Sequence, residues 1–212
     1  MRDFPMFTTE NGVASLVFRE VPYRGIAYIM IRSSESPEAL LKECCDFAAA
    51  VGAEKIFASG HDCLRNFPFH TAIYALAADK DRILPGSAAM FPVTEDTLER
   101  FRQIYNQKME AVPNSAYMTL AFAKEMLLKG QGYFVHRNGE LLGIGMIDGN
   151  EIKALASCSR GQGAEVLRTL CQGIFENTVR LECASENKKA MALYEQEGFI
   201  KQKELSRWYR VK

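Results

Sequence analysis

The chain has 212 residues, with 48% hydrophobic and 25% charged, an ordinary globular composition with room for one large domain or two small ones. Lys plus Arg number 26 and Asp plus Glu number 26, so no global field of either sign favours a nucleic-acid or membrane partner. No apolar run approaches the ~20 residues of a membrane span, and the opening MRDFPMFTTENG lacks the apolar core of a secretory signal.

Residues 13–20 and 25–32 read as two strands joined by a turn at Pro22–Gly25. Ser36-Pro37-Glu38 then starts a helix, with a hydroxyl to cap it, proline at the first helical position and an acid in the first turn. Leu40, Leu41, Cys44, Ala48 and Val51 recur at helical spacing, and Gly52 is a natural terminator. Lys55–Ser59 reads as a further strand, and residues 70–77 admit either one more strand or a helix. The segment Leu84-Pro85-Gly86-Ser87 is the best linker in the chain, and it divides residues 1–86 from residues 87–212.

The second region opens with a short strand, Ala89–Val93, and a helix capped by Thr94 and running to about residue 108. A second helix is expected over residues 116–128. Gly132–His136 and Glu140–Ile147 form a hairpin through Arg137-Asn138-Gly139, the strongest short hairpin signal present. Asp148-Gly149-Asn150 turns into strand Glu151–Ser157. A helix after Gly163 has Val166, Leu167, Leu170, Cys171, Ile174 and Phe175 on one broad face. Strand Val179–Cys183, a helix over 186–197 and a strand over 199–209 complete the chain. Both regions run hairpin, strand, helix, strand, which suggests an internal duplication.

Six cysteines (Cys44, Cys45, Cys63, Cys158, Cys171, Cys183) show no CxxC spacing, and most fall in apolar stretches. They read as reduced core thiols of a cytoplasmic protein rather than a disulfide or zinc framework. His61-Asp62-Cys63 admits a metal or thiol site, but no second Cys/His cluster supports it; His70 and His136 read as structural.

Two segments carry chemistry. In Arg160-Gly161-Gln162-Gly163, glycines precede a helix start, where unpaired N–H groups and the helix dipole favour a phosphate. Arg160 adds a forked cation. Alone, the segment serves equally well as a turn. Gly143-Ile144-Gly145 begins like a dinucleotide fingerprint, but it lies inside a hairpin and Asp occupies position 148. The second segment is ENKKAMALYEQEGF, residues 186–199, where Ala190, Leu193 and Tyr194 share a helical face and Gly198 ends the helix.

Together these segments resemble the GNAT superfamily of acyl-CoA-dependent N-acyltransferases over about residues 88–212. Its members carry an R/Q-x-x-G-x-G/A turn after the fourth strand and, downstream, N-x-x-A-x-x-x-Y-x-x-x-G-F. Here the first reads Arg160 through Glu165, and the second is met at Asn187, Ala190, Tyr194, Gly198 and Phe199. The resemblance implies an α/β fold with a mixed sheet in residues 87–212, and the shared element order suggests that residues 1–86 are a degenerate, non-catalytic half-copy. That half-copy would extend the sheet, cover the acceptor cleft or form a homodimer face. Its Ser34-Glu35-Ser36-Pro37, in place of the glycine turn, is a poor phosphate cradle.

The implied activity is transfer of an acetyl or other acyl group from acetyl-CoA to a primary amine of a small molecule or peptide, without a metal. Implied cofactor contacts are Leu155, Ala156, Ser157, Arg160, Gly161, Gln162, Gly163, Ala164, Glu165, Asn187, Ala190 and Tyr194. An amide near Ala156 or Ser157 would polarise the thioester carbonyl. Tyr194 would be the general acid, and Glu151 or a water chain the base. Two departures stand out: Glu at 165 where the family prefers Gly or Ala, and a shortened segment Ser157-Cys158-Ser159 before Arg160. A carboxylate beside the diphosphate repels it unless it points elsewhere. These departures favour the alternative of an acyl-CoA-binding or interaction module with little catalysis. A hydrolase or metal protein built on His61 and Cys63 is the third reading.

Overall fold

The computed structural model describes residues 5–212. Eleven strands and six α-helices lie along them in a mixed α/β arrangement. Two compact units are formed, one from Met1–Ile73 with Glu204–Lys212 and the other from Tyr74–Lys203. The six cysteines are all free thiols, and no helix of the described residues is long and apolar enough to cross a membrane.

In the first unit, β1 (Met6–Thr9), β2 (Gly12–Val17) and β3 (Ile26–Ser34) form an antiparallel meander. The turn expected at Pro22–Gly25 is a single helical turn, α1 (Val21–Arg24), closed by Gly25 at φ 65°. Next, α2 (Pro37–Ala50) leads into β4 (Lys55–Ser59), which runs parallel to β3. Leu40, Leu41, Cys44 and Ala48 of α2 pack on Ala27, Ile29 and Ile31 of β3, the two periodicities of one buried face. β5 (Phe69–Asp79) and β11 (Ile200–Arg210) contribute residues to both units, and the end of β11 pairs with β4.

The second unit has strand order β11-β5-β10-β9-β8-β7-β6. Its strands β6 (Ala89–Pro92), β7 (Gly132–Arg137), β8 (Glu140–Asp148) and β9 (Glu151–Ser157) are antiparallel neighbours, and β10 (Thr178–Ala184) is parallel to β9. Helices α3 (Glu95–Met109) and α4 (Leu120–Leu128) cover one face, burying Phe101 and Met126 against Phe134 and Ile144. Helices α5 (Gly163–Gln172) and α6 (Lys188–Gln196) cover the other, with Leu167 and Met191 against Leu142, Ile152 and Leu181. Apart from the single turn α1 between β2 and β3, the order β8-β9-α5-β10 repeats the order β2-β3-α2-β4 of the first unit.

Helix α4 begins later than residue 116. The side chain of Asn106 accepts from the Met118 N–H at 2.7 Å and donates to its carbonyl at 3.1 Å, holding that stretch out of a helix. Thr119 then caps α4 by accepting from Phe122 N at 3.2 Å.

Candidate active site

The site is built around a break in the second unit's sheet. The β9–β10 ladder pairs Arg180 with Glu151 and Leu181 with Ile152, at the start of both strands; Lys153–Ser157 lie beyond it. The β8–β9 register shifts at the same place, with Ile147 opposite Ile152 but Met146 opposite Ala154, so Lys153 is an inserted residue. A bulge bends its strand and increases its twist. Its signature is visible in the packing: Ile152 and Ala154, two residues apart, belong to cores on opposite faces. The bend gives a physical reason for the ladder to end there.

Beyond the bulge β9 stays paired to β8. Cys158 N–H donates to the Leu142 carbonyl at 2.7 Å. Alternate residues in an antiparallel ladder turn to the same neighbour, so Ala156 faces β8 with Cys158. The N–H groups of Leu155 and Ser157 therefore face the open side. Of the three strand residues implied as cofactor contacts, these two turn their N–H groups that way.

The turn into α5 lies at the mouth of this opening. Gly161 has φ 79°, and a Cβ on it would meet nothing. Gly163 has one near neighbour, Leu193 Cδ2 of α6, 3.1 Å from where a Cβ would stand. Thus α5 and α6, which carry the two sequence motifs, touch at a glycine. Gln162 is the N-cap without a side-chain cap bond, and the N–H groups of Gly163, Ala164 and Glu165 have no intrahelical acceptor. Arg160 beside them is exposed. In the first unit, by contrast, Pro37 occupies the first position of α2 and Glu38 its first turn, removing one donor and adding an anion.

Glu165 does not face the cradle. Its Oε1 accepts from Ser87 N at 2.5 Å, Ser87 Oγ at 3.0 Å and Ala88 N at 2.7 Å. Partial burial works to raise its pKa, but these bonds, with Arg137 nearby, hold the carboxyl below the usual carboxylate range. Arg137 Nη1 donates to Ser87 Oγ at 3.4 Å and Nη2 to Gln162 Oε1 at 3.3 Å. Ser87, Ala88 and Arg137 were not among the residues expected around the turn; the only signals they gave were a linker and a hairpin.

Asn187 caps α6, its Oδ1 accepting from Ala190 N at 3.4 Å, and Ala190 packs partly buried beside it. Tyr194 is 8% exposed, its ring 5.8 Å from that of Phe199. Burial, then the neighbouring Cys183 and Cys171, pushes its hydroxyl well above the usual tyrosine range. Glu151 stands at the closed end of the opening, its Oε2 2.5 Å from Lys153 Nζ.

The remaining polar candidates have local structural partners. His61 Nδ1 accepts from Cys63 N at 3.2 Å, and burial, followed by the Glu38 and Asp62 carboxylates, pushes the Cys63 thiol up. That environment opposes formation of a nucleophilic thiolate. His70 stacks on Phe57 at 3.9 Å, and His136 meets Phe91 and Phe134 edge-on. Among the described residues, no three His, Cys, Asp or Glu side chains are grouped to hold a metal.

No protein-family model and no curated protein matches the chain; its likenesses are to solved structures. It aligns over 98% of its length with 93% of a conserved Staphylococcus epidermidis protein of unknown function, at TM-score 0.62 and 12% identity. It aligns over 97% of its length with 83% of a GNAT-family acetyltransferase from Colwellia psychrerythraea, at TM-score 0.51 and 13% identity. A tandem GNAT protein of clavulanic acid biosynthesis matches 94% of the chain over 78% of its own length, also at TM-score 0.51 and 13% identity. The fold is that of the GNAT acyltransferases.

Proposed function

We propose that the chain is an N-acyltransferase that moves an acyl group, most simply acetyl, from acetyl-CoA to a primary amine. The supporting observation is one juxtaposition: the opening between β9 and β10 ends at a helix N-terminus with two glycines. A Cβ at 161 would meet nothing, so the backbone is open to a bulky anion. The fit is of donors to acceptors. The N–H groups of Leu155 and Ser157 suit an extended amide-bearing arm, and those of Gly163–Glu165 suit its diphosphate. The bound thioester supplies an acyl carbon open to attack by an amine.

The protein's residues then have two proton tasks. An alkyl amine with pKa ~10.4 must be freed near pH 7, which costs about 4–5 kcal/mol. Glu151 is the assigned base. Its carboxylate is held by Lys153 Nζ, so an incoming ammonium can replace one cation with another before the proton moves. Tyr194 is the assigned acid for the leaving thiolate. Proton transfer from a tyrosine of ordinary pKa ~10 to a thiolate of ~8.5 is already uphill by about 2 kcal/mol. Burial makes it steeper, so the proton is passed as the C–S bond breaks, not to a free thiolate.

That raised pKa is also what favours the second reading, an acyl-CoA-binding module with little turnover. A thermal-shift titration with acetyl-CoA and longer acyl-CoAs tests both. Ligand at 100 times its dissociation constant should stabilise by about 2.7 kcal/mol, a shift of several degrees. No shift with any acyl-CoA overturns both readings. Thiol release with an amine panel separates enzyme from binding module.

A further inference from the structure

Residues 84–88, expected as a linker, are a strap laid along α5. Two residues of α5 at positions i and i+7, Glu165 and Gln172, hold it by hydrogen bonds, and Thr169 between them packs against it. Glu165 accepts from two strap amides, Ser87 N and Ala88 N, and from Ser87 Oγ. Gly86 passes so close to Thr169 that a Cβ on it would lie 2.5 Å from Thr169 Oγ1 and 2.8 Å from its backbone nitrogen. Gln172 Nε2 donates to the Gly86 carbonyl at 3.3 Å.

The strap reaches back to the cradle through Arg137. The Ser87 hydroxyl donates to Glu165 and accepts from Arg137 Nη1, whose other amino group donates to the Gln162 side chain. Gln162 is the residue that opens α5 and has no cap bond of its own. The sequence Glu165–Ser87–Arg137–Gln162 therefore loops around the first turn of α5 and returns to it.

We infer that Glu165 is a positioning residue for the cofactor's diphosphate, acting through the strap and Arg137 to fix Gln162 and the turn beside it. This rests on the acyl-CoA reading. It reverses the electrostatic expectation. A carboxylate aimed at the cradle would oppose an anion, so its removal would tighten binding. A carboxylate whose charge is taken up by three donors and whose work is to hold the strap has the opposite signature.

The test is calorimetric binding of acetyl-CoA and of S-acetylpantetheine, which lacks the phosphates, to wild type, Glu165→Ala, Glu165→Gln and Ser87→Ala. Hydrogen exchange at the Ser87 and Ala88 amides is followed in each. Glu165→Ala is expected to weaken acetyl-CoA about ten-fold, the scale of one or two lost charge-assisted hydrogen bonds, and to leave S-acetylpantetheine unchanged. Its Ser87 and Ala88 amides should exchange faster. Glu165→Gln keeps an acceptor oxygen and should recover much of the loss, while Ser87→Ala cuts the link to Arg137 and should weaken acetyl-CoA with those amides still protected. Equal or tighter acetyl-CoA binding by Glu165→Ala, or an equal loss on both ligands, overturns the inference alone. Failure of wild type to bind acetyl-CoA overturns the acyl-CoA reading and the inference with it.

Discussion

Arg168 of α5 and Glu197, just past α6, are joined by two parallel hydrogen bonds of 2.7 and 2.8 Å, with the Glu197 side chain only 8% exposed. The pair holds together the helices that carry the two halves of the proposed site. Removing the fork leaves a largely buried carboxylate without its cation, the costly way to break such a pair. Arg168→Ala should therefore destabilise by about 2–3 kcal/mol, discounted from the fully buried case because Arg168 is partly exposed. Arg168→Lys should not restore the two parallel bonds. Denaturant midpoints at constant slope measure both; a loss within ~0.5 kcal/mol for Arg168→Ala would show the pair to be an ordinary surface bridge.

Leu170 of α5 fills the space over Gly145 of β8, where a Cβ would stand 2.3 Å from Leu170 Cδ1. Leu170 is fully buried, so it has little room to turn aside. At Gly143 the obstacle is backbone, the Ala156 carbonyl at 2.4 Å, with Val166 Cγ2 at 2.7 Å. Both substitutions to alanine should destabilise by about 1–3 kcal/mol through overpacking, with Gly143 the worse because a carbonyl in a ladder cannot rotate. Thermal unfolding of the two variants checks the size and the order.

These two glycines show where the sequence was legible and where it was not. Gly143-Ile144-Gly145 begins like a dinucleotide fingerprint, but the glycines are there for helix-on-sheet packing, which depends on α5 more than twenty positions away. Local signals survived intact. Asn138 and Gly139 both take positive φ, at 53° and 82°, as the hairpin turn required. The apolar face predicted for α5 is buried at Val166, Leu167, Leu170 and Cys171, although Phe175, past its end, is exposed. The bulge at Lys153 was hidden because EIKALAS has no glycine or proline to mark it. Glu165 could be flagged as unusual, but its partners lie 77 and 78 residues away, beyond any local pattern.

The buried thiols set a prediction for alkaline stability. Burial is the main cause raising Cys44 and Cys171 to about 12 and Cys45 and Cys183 to about 11. Thiols in the unfolded chain lose their protons near ~8.5. Above that pH the folded state binds more protons than the unfolded one, so stability falls as pH rises. It should be fully present below about pH 8.5 and decline progressively toward pH 11–12. Denaturation midpoints between pH 7 and 11 test this. A Cys171→Ala, Cys183→Ala double variant should show a shallower decline; a wild-type curve flat to pH 11 would contradict the burial of these thiols.

Tyr194→Phe isolates the chemical step. Phenylalanine keeps the ring against Phe199 and removes only the hydroxyl, so the fold and acyl-CoA affinity should be nearly unchanged. Turnover should fall by about 10²-fold, the lower range for a lost general acid. Unchanged turnover removes Tyr194 from the mechanism. The pH profile provides a second readout. Because burial pushes the Tyr194 hydroxyl above its ordinary range, it keeps its proton through the alkaline end of any practical assay. Wild-type turnover should show no falling limb from this group below about pH 10. Release of the amine's own proton should make the rate rise toward that pH instead. A falling limb below pH 10 that disappears in Tyr194→Phe would mean that the site lowers the tyrosine pKa when the thioester is bound, and that proton transfer need not be concerted with C–S cleavage.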